Sequence, residues 1–172
     1  MSNDAQNEFI SKAKKEITQR IKTETKAVEE LNKEKNELEV AIKGYANYYH
    51  ELEHFFEDNA KDFNITLDEL PNYFKSNIND IYQNYVQIKQ DALEEITTLT
   101  KYINHCKREE KNNQRTLKFY RSQYMDSDFF EECLPLVELY QQKIDLYQEN
   151  VTLTEKTIKN LEKIVKKLEK WK

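Results

Sequence analysis

Residues 130–168 read FEECLPLVELYQQKIDLYQENVTLTEKTIKNLEKIVKKL. Taken at alternating steps of three and four, they give Phe130, Cys133, Val137, Tyr140, Ile144, Tyr147, Val151, Thr154, Ile158, Leu161, Val165 and Leu168. Only Thr154 in that series is polar. An α-helix turns once every 3.6 residues, so side chains at this spacing line one face, whereas a strand would need alternation. The stretch therefore predicts a long helix with an apolar seam. Leu134, Leu136, Leu139, Leu146, Leu153 and Ile164 add a second apolar flank that one seam does not use. A helix apolar on two flanks is expected to touch two neighbours.

The neighbours lie upstream. With Ile10 as position a of a heptad, the a and d residues run Ile10, Ala13, Ile17, Arg20, Glu24, Ala27, Leu31, Glu34, Leu38, Ala41, Tyr45, Tyr48, Leu52 and Phe55. The phase never slips, and only Arg20, Glu24 and Glu34 are unsuited to a seam. This predicts a first helix over about residues 5–60. It breaks at DFNITLDELP (62–71), where Thr66 and Glu69 have the spacing of a capping box and Pro71 falls just inside the new start. A second helix then follows over about 67–124. Its seam is Ile78, Ile81, Tyr85, Ile88, Ala92, Glu95, Leu99, Tyr102 and Cys106. The stretch KREEKNNQRT (107–116) has no apolar residue, but it has no Gly or Pro either, so the helix is expected to run through it. A second break falls at MDSD (125–128), with Ser127 or Asp128 as cap for a third helix over 128–171 and Pro135 in its first two turns.

The expected fold is all-α: one elongated antiparallel three-helix bundle or coiled coil spanning residues 1–172. Composition agrees. The chain has one Gly and two Pro, so it has few tight turns, and 34% of its residues are charged, as suits helices with solvated outer faces.

If the first turn centres near residue 65, residue n of the first helix lies beside residue 130 − n of the second. Arg20 and Glu24 then fall level with Glu109 and Cys106, and Glu34 with Glu95. Charged residues in a seam are costly unless paired. These levels either fix register or open to a partner, which makes Arg20, Glu24, Glu34, Glu95 and Glu109 candidate partner-binding residues. Trp171, at the end of the last helix, is a further candidate as an exposed aromatic anchor.

One motif carries possible chemistry. His50-Glu51-Leu52-Glu53-His54 is an HExxH pattern, in which two imidazoles one helical turn apart can reach one Zn²⁺ and Glu51 can act as base. The match covers five residues. The remaining histidine, His105, lies far along the expected hairpin, and Asp80 is the nearest candidate for a third ligand. His50 and His54 also occupy outer heptad positions, as a solvated helix face would. Cys106 and Cys133 sit at seam positions without a cysteine neighbour and are expected as small buried hydrophobes. No glycine-rich phosphate loop and no CxxC pair is present, so no cofactor is expected.

The net charge of −5 with 27 interspersed basic residues argues against nucleic acid as a partner. No run approaches the length of a membrane span, and the first residues lack a signal-peptide core, so the chain is expected in the cytoplasm. These observations favour a non-enzymatic protein-binding role, as a scaffold, adaptor or chaperone-like helical protein, with self-association as one form of it. Two alternatives differ in class. A BAR-like membrane-surface protein would use the basic, amphipathic EKTIKNLEKIVKKLEKWK (155–172), diluted by Glu155, Glu162 and Glu169. A metal-binding protein would use His50 and His54.

Overall fold

The computed structural model describes residues 3–124 and 129–172. The described residues form four helices: α1 (Asn3–Phe63), α2 (Leu70–Asn77), α3 (Asn79–Tyr124) and α4 (Phe130–Lys167). The three-helix expectation is thus corrected to an all-α bundle of four, and the packing is not that of a simple coiled coil. The expected second helix is two, divided at Ile78. Its backbone, at φ −139° and ψ 65°, leaves the helical region. The Asn77 side chain donates to the Tyr73 carbonyl at 2.9 Å. Such a bond offers the backbone an alternative to the helical ladder. The cap expected at Ser127 or Asp128 lies outside the described residues.

The turn between α1 and α2 is built without glycine. Asn64 takes φ 53°, the only non-glycine positive φ among the described residues. The Ile65 amide donates to the Ala60 carbonyl at 3.0 Å and the Asn64 amide to the Lys61 carbonyl at 3.2 Å. This is the paired closure of a Schellman motif, with Asn in the place glycine usually takes. Thr66 and Glu69 then exchange both capping-box bonds at 3.3 Å, as their spacing implies. The box closes a turn over 67–69, and α2 proper starts at Leu70 with Pro71 in its first turn.

The chain divides into two units. The first is Met1–Asn36 with Asn104–Val151, and the second is Glu37–Ile103 with Thr152–Lys172. In the first unit α4 runs parallel to α1 and antiparallel to α3. Lys14 pairs with Glu132 at 3.3 Å, and Asn150 donates to the Leu31 carbonyl at 3.3 Å. Gln148 reaches Glu110 on α3 at 2.7 Å, so α4 meets both neighbours that its two flanks predict. Leu117, Leu136, Tyr140 and Ile144 form the core there, with Ile21, Tyr120 and Val137 packed on it.

In the second unit α1 and α3 are antiparallel, with Tyr45 beside Glu95 and Phe56 against Tyr85. Residue n therefore faces about 140 − n, not 130 − n, because α2 lengthens the connection. One core cluster joins Leu38, Ala92, Leu99 and Leu161. A second gathers Leu52, Phe56, Leu70, Phe74 and Tyr82 around Trp171, with Ile164 and Leu168. Trp171 is only 2% exposed and stacks on Phe56 at 5.2 Å between ring centroids. Lys89 donates to the Trp171 carbonyl at 3.0 Å, and the Tyr82 hydroxyl donates to the Lys172 carbonyl. The last residues are thereby tied to α3.

Candidate functional site

The residues singled out by the heptads divide between the units. In the first unit Glu24 is buried and bonded within the chain. Its carboxylate accepts from Lys143 Nζ at 2.6 Å and from the Tyr140 hydroxyl at 3.3 Å. Arg20 is exposed and donates to the same hydroxyl at 3.4 Å. Glu34 and Glu109 are half-buried and lie near Tyr147. Burial first, and then these carboxylates with that of Glu24, push the Tyr147 phenol up to about 12. Glu24, expected level with Cys106 of the hairpin, is thus bonded to Lys143 and Tyr140 of α4. Desolvating Glu24 is offset by a cation and a hydroxyl that only this register supplies.

His50 and His54 lie on an exposed face of α1, and His50 pairs with Glu53 at 3.6 Å. With the register near 140 − n, His54 falls level with Val86, and Asp80 falls level with Ala60. Among the described residues no group of three or more His, Cys, Asp or Glu side chains converges as a metal site. Nor is any described helix long and apolar enough to cross a membrane. In the basic segment at 155–172 the apolar residues Leu161, Ile164, Leu168 and Trp171 are all core. What it exposes is Glu155, Lys156, Lys159, Glu162, Lys163, Lys166, Glu169, Lys170 and Lys172.

A concave feature with an apolar lining, a groove of about 600 Å³, lies in the second unit between α1 and α3. From α1 come Val40, Ala41, Gly44, Tyr45 and Tyr48. From α3 come Ile88, Asp91, Ala92 and Glu95, and Leu161 and Ile164 of α4 form the floor. Small residues on the two walls, Ala41 and Gly44 of α1 and Ala92 of α3, leave the space. A methyl group added at Gly44 would meet nothing within 4 Å. Val40 stands 72% exposed at the lip, the most exposed large hydrophobic among the described residues. Burial raises the Tyr45 and Tyr48 phenols, with Glu95 beside the first and Glu51 beside the second. Both are thus neutral, half-wet aromatic walls at ordinary pH, suited to contact that is partly apolar and partly hydrogen-bonded.

Of the sequence-derived candidates, only Glu95 belongs to this groove. Its other determinants carried weak signals. Val40 is an apolar residue at an outer heptad position, and Gly44 is the one glycine of the chain, placed in mid-helix. A glycine there is costly for the helix, and close approach of another backbone is one reason to keep it. No protein-family model, no curated protein and no solved structure matches the chain.

Proposed function

We propose that this chain is a protein-binding helical module, of the scaffold or adaptor class, which seats a helix of a partner in the groove between α1 and α3 of the second unit. The observation that carries this reading is the groove's composition. Its floor and walls are apolar and aromatic, its centre is cleared by Gly44 and two alanines, and Val40 is left in water. A helix needs this combination to dock: close backbone approach, apolar contact, and aromatic side chains that order at low entropic cost. Exposed single hydrophobics are ordinary on protein surfaces, but a concave, mostly apolar lining with a few polar groups is the common form of a binding site.

The reading is tested by placing a photo-cross-linking amino acid at position 40 and, as control, at the exposed Lys163 of α4. Cross-linking in the native host is expected from position 40, to one segment of a protein with apolar residues at helical spacing. Equal yields from the two positions would remove the groove as the docking site.

A further inference from the structure

Resting on that reading, we infer that the groove selects an amphipathic helix whose apolar stripe is flanked by Lys or Arg. The argument is the charge around it. Asp91 and Glu95 line the groove, and Glu51 lies near the Tyr48 wall. No Lys or Arg lines it. The bias extends through the two helices that form its walls and the connection between them, α2 included. Residues 37–103 carry thirteen acidic and five basic side chains, whereas residues 152–172 carry seven basic and three acidic. The fold thus places an acidic pair of helices around the cleft and the basic segment on α4, beneath the floor. A helix with acidic flanks would bring like charges together over a low-dielectric lining, while one with basic flanks gains attraction on approach and at the rim.

The same charges bear on self-association. A second copy could offer the basic outer face of its α4, but every side chain exposed there between 155 and 170 is Lys or Glu. It has nothing apolar to put beside Val40 and Ala41. Two grooves placed face to face would oppose Asp91 and Glu95 to their own copies. A partner with separate apolar and basic stripes satisfies both the floor and the rim.

The test uses two fluorescently labelled synthetic helices with identical Leu stripes, one flanked by Lys and the other by Glu, titrated with the full chain and followed by anisotropy. The Lys-flanked peptide is expected to bind about tenfold more tightly at low salt, the magnitude of two rim charge pairs. That preference should collapse in about 1 M salt, where screening is nearly complete. Asp91→Asn with Glu95→Gln should remove most of it, and Gly44→Arg should abolish binding while circular dichroism stays unchanged. Equal binding of the Glu-flanked peptide, lost in Gly44→Arg, would overturn the charge inference and leave the groove reading standing. Binding of the Lys-flanked peptide that Gly44→Arg does not disturb would overturn it too, since the contact would then lie elsewhere. If neither peptide binds, the basic-helix inference fails, and cross-linking from position 40 decides separately on the groove. A parent dimer that Gly44→Arg makes monomeric would replace the inference with a second copy as occupant.

Discussion

Lys143 is the residue on which the first unit's polar core depends. Its ammonium and the Glu24 carboxylate meet at 2.6 Å with about a tenth of each side chain exposed. A surface ion pair contributes little, but removing one member of a buried pair leaves a charge with no solvent. Lys143→Met is expected to cost about 3 kcal/mol, the low end for a broken buried pair because Tyr140 still donates to Glu24. Replacing both, Glu24→Met with Lys143→Met, is expected to stay within about 1 kcal/mol of the parent, since two apolar side chains can fill the volume. Urea unfolding followed by circular dichroism measures both. A single variant that loses no more than a broken surface pair would mean that Glu24 is solvated and that the layer is not a register device, and a double variant as weak as a costly single would mean that two apolar side chains do not fill the volume. The heptads flagged Glu24 as a misfit in its seam. They could not supply Lys143, because that residue sits off the a/d series of α4.

At the scale of the element, the buried face of α4 was legible in kind and displaced in detail. The predicted seam is buried at Cys133, Tyr140, Ile144, Tyr147, Thr154, Leu161 and Leu168. Of the second flank, Leu136 and Ile164 are buried as well, and Lys143, Asn150, Thr157 and Trp171 complete their stripe at every seventh residue, three of them polar and not scored as core by hydropathy. In α1 the seam holds to Leu52 and then moves: Phe56 is buried while Phe55 is exposed. The change is local, because Phe56 is the residue that stacks on Trp171 and meets the edge of Tyr85. The division of α2 from α3 stayed hidden because Ile78 and Ile81 keep the apolar phase across the break, although SNIND (76–80) has the composition of a turn. Asn64 was silent for the opposite reason, since asparagine only permits the left-handed conformation and does not announce it. The closure it makes can be tested. Asn64→Ala is expected to cost about 1 kcal/mol, from a Cβ held at positive φ without the side chain that eases it, and Asn64→Gly should be neutral or slightly stabilising. Thermal melts of the pair decide. If alanine and glycine behave alike, the left-handed residue is not holding the end of α1.

Over the whole molecule the common feature is tyrosine that is buried or half-buried. Tyr45, Tyr48 and Tyr85 in the second unit, and Tyr120, Tyr140 and Tyr147 in the first, all have phenols raised above the ordinary value of 10. Burial is the largest cause in each, and Tyr85 and Tyr147 are pushed up to about 12. The composition gave eleven tyrosines, and helical spacing put many of them inward. Their consequence for stability follows from linkage. Below pH 10 the folded and unfolded chains both keep these protons, and the full stability is present. Between 10 and 12 the unfolded chain has released its phenolic protons while the folded chain still holds those of Tyr85 and Tyr147. The unfolded state then binds fewer protons, so stability falls as pH rises and levels off once the folded phenols ionise. Melting temperature is therefore expected to decline from pH 10 to pH 12, and Tyr85→Phe with Tyr147→Phe should make that decline shallower. Lysines titrate in the same range but are common to both proteins, so the difference in slope isolates the two phenols. Parallel slopes would mean that Tyr85 and Tyr147 ionise as freely in the folded chain as in the unfolded one, and that the cores around Phe56 and Cys106 admit water.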